Sequence, residues 1–376
     1  MTHVVIVGAG IYGAGTALAL RDAGVDVTVV EARTPGHAWA GSGGLSRVLR
    51  YEYGRDLLYV RLAALARDAW RALEARLGVT LYHETGILTL AASASSWERE
   101  SFDALVAAGY HPEPLSAAEV TRRWPVISAD GIGFAAYHAI GGFIAARRAT
   151  EAIAATAESA GARFVRGAAV AGVVVEHGRA QGVQLASGER IAADAVVLAP
   201  GAWAASLLAA VGVAAPRSTR QVVTYVNTPA HGYGLGELPV FAELSAGFYG
   251  VPAWMPHGFK LANHTPGPVM APGDAAQRTV RDEDLLLYRA YLANRFPGLK
   301  QAELVEPHVC CYAMTADEHF LLGRAPDVEN VVIATGFSGH GFKFAAALWP
   351  EIAALVQGKA PQLELELERF RVDRRG

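Results

Sequence analysis

The sequence predicts an α/β protein with a doubly wound first lobe and an α+β second lobe. Three stretches carry that reading: an apolar strand, glycine turn and helix at the amino terminus; a strand-rich middle; and a late apolar strand running into a glycine loop. Val4 to Val7 is the first strand, Gly8 to Gly13 the turn, Ala14 to Asp22 the helix and Val25 to Val30 the second strand. Leu57 to Leu77 carries apolar residues at helical spacing with Arg and Asp on the other face, which predicts a long amphipathic helix. A helix over Ala145 to Ala160 leads into short strands at Phe164-Val165, Val173 to Glu176, Gly182 to Leu185 and Ala195 to Leu198, with turns at Gly178 and Ser187-Gly188. Val222 to Leu261 is rich in aromatics, Pro and Gly and has no helical period, so it reads as a second sheet. A helix over Glu283 to Arg295, a buried strand at Asn330 to Ala334, a loop from Gly336 to Gly341 and a helix beginning near Phe342 complete the chain.

Composition narrows the function classes. At 376 residues, with 52% apolar and 18% charged residues, the chain has material for two cores and little disorder. A net charge of -3 provides no basic field for nucleic acid or an anionic membrane. The apolar opening runs through glycines rather than to a cleavage site, and no run reaches the roughly 18 apolar residues of a membrane span. The two cysteines, Cys310 and Cys311, are adjacent and cannot staple distant segments, so the expected compartment is the cytoplasm. The histidines are scattered without ligand spacing, and no metal is expected.

The turn Gly8-Ala9-Gly10-Ile11-Tyr12-Gly13 lies between strand and helix, and Glu31 ends the next strand. This is a Rossmann-like dinucleotide fingerprint. Gly8 permits the tight turn, Gly10 lets backbone approach a pyrophosphate, Gly13 allows close packing, and Glu31 accepts from ribose hydroxyls and repels a 2′-phosphate. FAD or NAD is therefore favoured over NADP. A second strand end, Ala195 to Trp203 with Gly201, is another place where backbone could meet a cofactor, although alone it reads as an ordinary strand end.

With these pieces placed, the chain resembles the monomeric sarcosine oxidase and N-methyltryptophan oxidase family of D-amino-acid-oxidase-like flavoproteins. The resemblance runs nearly end to end and is carried by Gly41 to Arg50, by Phe248-Tyr249-Gly250 with Lys260, by Cys310 to His319 and by Gly336 to Phe344. It implies FAD as cofactor, a thioether to the flavin 8α carbon from Cys310 rather than Cys311, and a monomer. The bland alternative for Cys310 is a small buried hydrophobe. The resemblance also implies a cofactor domain built from 1–80, 145–215 and 305–376 and a discontinuous, mainly antiparallel substrate domain from 81–144 and 216–304.

The implied reaction is oxidation of a small secondary or N-methyl amino acid to an imine, with oxygen reduced to hydrogen peroxide. Arg50 and Lys343 match the family residues that bind the substrate carboxylate, Lys260 matches the lysine that promotes oxygen reduction, and Tyr249 and His264 shape the substrate pocket. Arg47, with Ser46, supports the flavin and Lys260. The loop Gly339-His340-Gly341 places backbone amides and His340 near the flavin N1 and C2 carbonyl, where reduction leaves negative charge. A satisfied structural histidine is the other reading of His340, and each cation taken alone reads as a surface charge. Arg47 and Arg50, three apart, share a face if their segment is helical. Competing functions are a primary D-amino acid or glycine oxidase, a dehydrogenase using another acceptor, and a noncatalytic flavin-binding subunit. Leu348-Trp349-Pro350 departs from the family pattern: Pro350 is expected to kink or restart the helix, and Trp349 belongs to the core or restricts the substrate. Trp254, Met255 and His257 fall in a region expected to vary with substrate.

Overall fold

The amino-terminal strand lies inside a six-stranded sheet. In the computed structural model, which describes residues 2–254, 258–361, 363 and 367–374, the strand order is Leu321–Arg324, Val331–Thr335, Ala195–Leu198, His3–Val7, Asp26–Glu31 and Arg163–Arg166. All neighbours are parallel except Leu321–Arg324 with Val331–Thr335. A parallel sheet covered on both faces demands apolar residues at every position. Val4, Ile6, Val27 and Val29 accordingly join the core of the helices Ile11–Asp22, Leu57–Leu77, Ala146–Ser159 and Ala345–Val356, whereas Val5, Val7 and Val30 pack with Leu207 and Leu208 on the other side.

The first helix begins at Ile11, immediately after Gly10, so half of the glycine turn is already helical. Gly8 sits at φ +98°, and a Cβ there would lie 2.5 Å from the Ala199 carbonyl oxygen, which explains why a side chain is excluded. That contact joins the fingerprint to the Ala195–Leu198 strand end. A Cβ on Gly13 would lie 1.9 Å from the Gly8 carbonyl oxygen, so Gly13 sets how closely helix and turn pack.

The second lobe holds an eight-stranded sheet in the order Leu304–Met314, Arg217–Val226, Phe259–Asn263, Phe248–Val251, Val240–Glu243, Ile87–Ala91, Phe134–His138 and Glu113–Leu115. It is antiparallel apart from the pairing of Val240–Glu243 with Ile87–Ala91. The helix Asp282–Arg295 covers one face through Tyr288, Tyr291 and Leu292, which pack on Phe241, Phe248 and Phe259. Leu304–Met314 pairs within this sheet, although the sequence division groups 305–314 with the cofactor segments.

The structure decides two local alternatives: the condition for a shared face of Arg47 and Arg50 is not met, and the last helix does not restart at Pro350. Residues Ser46–Leu49 form a strand paired with Gly142–Ala145 rather than a helix, so Arg47 and Arg50 do not share a face. The helix Ala345–Val356 runs unbroken through Pro350, entered by a 3₁₀ turn at Phe342–Phe344. Burial of Leu348, Trp349 and Ile352 on either side of the proline holds the chain helical where the missing N–H would favour a break.

Trp349 belongs to the core. It stands edge-on to Trp70 at 6.0 Å and covers Gly15 of the first helix. A Cβ on Gly15 would fall 1.8 Å from the indole. Gly15→Ala is therefore expected to lower stability by about 1 to 3 kcal/mol in denaturant unfolding, and Trp349→Leu in the same chain should recover part of that loss. Strict additivity of the two changes would show that the indole is not what Gly15 accommodates.

Candidate active site

A cavity of about 400 Å³ opens along the fingerprint and runs between the two sheets. Its first end is lined by Gly8, Gly10, Glu31, Arg33, Ala199 and Gly201. Glu31 is held in place by its own loop: Oε2 accepts from the Ala9 N–H at 2.7 Å and Oε1 from the Arg33 N–H at 2.8 Å. At the helix start, the Ile11 N–H donates to Ser42 Oγ at 2.9 Å, which ties the loop 41–46 to the fingerprint. A Cβ on Gly10 would come within 3.3 Å of that hydroxyl. Side-chain-free backbone, a helix amino end and a fixed carboxylate fit the pyrophosphate and ribose of an adenine dinucleotide.

The far end is lined by Arg50, Tyr249, His264, Cys310, Tyr312 and Lys343, beside the loop 339–341. Arg50 is 9% exposed, its Nη1 has no hydrogen-bond partner, and its guanidinium carbon lies 4.3 Å from the Tyr53 ring centroid and 5.3 Å from that of Trp97. The Lys343 ammonium donates to Tyr53 Oη at 2.8 Å and to the His340 carbonyl at 2.6 Å. Burial, then the Arg50 charge, hold Lys343 well below the usual lysine range.

The partners of His340 fix its tautomer. Nε2 lies 3.0 Å from the Glu318 carbonyl, which can only accept, so Nε2 carries the proton; Nδ1, 3.3 Å from Tyr53 Oη, is then the acceptor. Burial, followed by the Lys343 charge, pushes His340 well below the normal imidazole range. Both ring nitrogens thus have partners within the protein, and Tyr53 Oη connects His340 to Lys343. His264 is brought down to about 3 by burial and then by Arg50 and Lys343, so it is a neutral wall beside Tyr312, whose hydroxyl lies 3.4 Å from Nδ1.

Lys260 and Ser46 stand behind the cavity wall. The Lys260 ammonium donates to the Ser46 carbonyl at 2.9 Å and lies 5.4 Å from the Tyr249 ring centroid. The same carbonyl accepts from Arg47 at 2.8 Å, and Arg47 also donates to the carbonyls of Gly41 (2.7 Å) and Gly43 (2.6 Å). Arg47 therefore shapes the loop that carries Ser42. Burial, then Arg47, bring Lys260 down to about 7.

The adjacent cysteines have different neighbours. Cys310 packs with Val223, Ala262 and Tyr249. The Cys311 sulfur lies 3.3 Å from Met270 Sδ and accepts from Arg278 Nη2 at 3.3 Å, and burial pushes its thiol up to about 11.

Several participants escape sequence reading. Tyr12, a variable position of the fingerprint, stacks on Phe337 at 3.7 Å and donates to the Gly341 carbonyl at 2.8 Å, joining the two glycine loops. Tyr53 links Lys343 to His340. Trp254 packs against Phe143 and His83, while Met255 and His257 lie outside the described residues.

A family model described as FAD dependent oxidoreductase matches residues 3–353. Monomeric sarcosine oxidase from Bacillus sp. (strain B-0618) is 30% identical over 383 residues, covering 99% of this chain and 96% of that protein. N-methyl-L-tryptophan oxidase from Yersinia pestis (strain Pestoides F) is 26% identical over 377 residues, covering 98% and 99%. The crystal structure of glycine oxidase from Geobacillus kaustophilus superposes with a TM-score of 0.84 at 24% identity and covers both chains fully, 100% of each, which establishes the shared fold.

Proposed function

The chain belongs to the family of FAD-dependent oxidoreductases, and on that premise we propose that it oxidises the C–N bond of a small secondary or N-methyl amino acid to the imine, with oxygen reduced to hydrogen peroxide. The observation that carries this reading is the pair of buried cations, Arg50 and Lys343, beside the loop 339–341 at the far end of the cofactor cavity. Neither forms an ion pair among the described residues. The buried Glu52 acts on Lys343 only through its charge; burying cations without a hydrogen-bonded counterion is costly, and a carboxylate placed there would relieve both at once.

In this reading Gly8, Gly10, Gly13 and Glu31 hold the dinucleotide end, Ser46, Arg47, Gly339, His340, Gly341 and Lys343 the flavin end, and Cys310 the thioether. Bound FAD supplies the two-electron acceptor. The protein positions the amine: Arg50 and Lys343 hold the carboxylate, and Tyr249 with the neutral His264 forms the pocket wall. The amine reacts in its neutral form, losing the equivalent of a hydride from the carbon next to nitrogen. Water then hydrolyses the imine, giving a primary amino acid and formaldehyde from an N-methyl substrate. Lys260 lowers the energy of negative charge building on oxygen. The segments 1–80, 145–215 and 305–376 serve the cofactor and 81–144 and 216–304 the substrate, in a cytoplasmic monomer.

The test is hydrogen peroxide release across N-methyl amino acids, cyclic imino acids, glycine and D-amino acids. A selective signal from secondary amines is expected. Ammonia release from unmethylated substrates would instead favour the glycine or D-amino acid oxidase reading, and silence across the panel would remove the oxidase reading. In Lys260→Met, anaerobic flavin reduction by substrate should persist while reoxidation by oxygen slows by about 100-fold or more; unchanged reoxidation would sink the role given to Lys260.

The depressed Lys343 gives a pH dependence. A bound carboxylate favours the protonated ammonium, so affinity is greatest below the free-state titration of Lys343 and declines as pH rises through it. Kd for a carboxylate ligand without an ionisable amine should accordingly rise with pH, and Lys343→Met should raise Kd at low pH and flatten the profile. A wild-type Kd independent of pH would count against placing the carboxylate on Lys343.

A further inference from the structure

Arg50 is held differently from the other cations around the cavity. Lys343, Lys260 and Arg47 donate to hydroxyl or carbonyl oxygens. Arg50 has no such partner among the described residues; its guanidinium carbon instead lies over two aromatic rings, 4.3 Å from the Tyr53 centroid and 5.3 Å from that of Trp97. The distinction matters chemically, because the donors of a guanidinium lie in its plane and its π contacts lie on its faces. Aromatic plates can therefore stabilise and orient the cation while leaving its in-plane N–H groups free.

Trp97 is built to be the outer plate. It is the first residue of the helix Trp97–Ala107, whose cap, the Ser96 hydroxyl, accepts from the Arg99 N–H at 3.2 Å. The same first turn is pinned on two sides. Ser101 Oγ accepts from the Gly54 N–H at 2.7 Å, and Glu98 Oε1 accepts from the Ser245 N–H at 2.7 Å. Gly54 lies at φ +58°, and a Cβ there would be 2.8 Å from the indole nitrogen, so the indole rests directly on the turn that follows Tyr53. Trp97 is nevertheless 38% exposed, which places its ring at the boundary between the buried arginine and solvent.

We propose that Trp97 is a positioning residue for substrate recognition: its ring and that of Tyr53 together hold the Arg50 guanidinium by cation–π contact without consuming its hydrogen-bond donors, keeping them available for a carboxylate. This rests on the reading that Arg50 binds the substrate carboxylate. A carboxylate counterion from the protein would fix Arg50 equally well, but the substrate would have to displace it. The aromatic contacts remove that competition. Its effect is confined to ligands with a carboxylate and is felt in binding rather than in the chemical step.

The experiment compares holoenzymes carrying Trp97→Leu, Trp97→Phe and Arg50→Met. Each is assayed with the N-methyl amino acid that gives the largest peroxide signal in the panel, with its carboxamide as a competitive ligand, and by anaerobic flavin reduction at saturating substrate. Trp97→Leu should raise KM for the carboxylate substrate roughly tenfold, leave the limiting reduction rate and the carboxamide inhibition constant unchanged, and be largely rescued by Trp97→Phe. An unchanged KM, equal weakening of carboxylate and carboxamide, or a Trp97→Phe variant as impaired as Trp97→Leu would overturn the proposal. Arg50→Met separates the two layers. If it leaves KM unchanged, the carboxylate reading fails and this inference fails with it; if it raises KM while Trp97→Leu does not, Arg50 stands and only the role of Trp97 falls.

Discussion

Buried positive charge without an ion-paired carboxylate is the constraint around which the site is organised; the buried Glu52 acts on Lys343 through its charge but forms no ion pair with it among the described residues. Lys260, Lys343 and Arg50 are each 9% exposed or less, and among the described residues none forms an ion pair. Removing such groups from water is unfavourable, and the protein offsets it with neutral groups: the Ser46 and His340 carbonyls, the Tyr53 hydroxyl and the faces of Tyr53 and Trp97. The loops that supply these groups therefore have to converge. The strand Ser46–Leu49, the turn at Gly54 and the entry to the helix Ala345–Val356 are held together as much by this requirement as by apolar packing.

Elsewhere the same chain handles buried charge in the opposite way. Arg295 donates to both Glu243 oxygens, at 3.0 and 2.8 Å, and the Tyr291 hydroxyl donates to the same carboxylate at 2.7 Å. Arg220 and Asp284 form a two-point pair at 2.8 Å. These networks are closed, with donors and acceptors matched inside the protein. The contrast gives the cavity its chemical sign: the fold pairs its charges away from the cavity and leaves cations beside it able to respond to an anion.

Much of the fold was legible in the sequence because its signals are local. The apolar runs at Val4 to Val7 and Ala195 to Leu198, the glycine spacing and the periodicity of Leu57–Leu77 each need only a short window, and the structure has strands and a helix there. The readings that stayed open in the sequence depend on remote partners. Whether Arg47 and Arg50 share a face is decided by Gly142–Ala145, which turns their segment into a strand. Pro350 stays within a helix because the surrounding core holds it there. In the site, motifs mark most of the residues that gather at or behind the cavity wall, but Tyr12, Tyr53 and Trp97 lie at positions that no motif marks, and their significance lies in contacts made across the fold. The fixed tautomer of His340 is likewise a tertiary property, since it is set by Glu318 and Tyr53 together.

The weaving of the chain between its two large sheets bears on how such a protein can diversify. The six-stranded sheet takes strands from the beginning, middle and end of the chain, and the eight-stranded sheet takes its strands from the intervals between them, with Leu304–Met314 leading directly back toward Leu321–Arg324. Neither sheet is encoded by one continuous stretch. Recombination at a single point cannot exchange the eight-stranded sheet for another while leaving the six-stranded sheet intact. An exchange of that sheet needs crossovers on both sides of each of its two intervals, 87–138 and 217–314, whereas substitutions and loop changes alter one sheet without disturbing the weave.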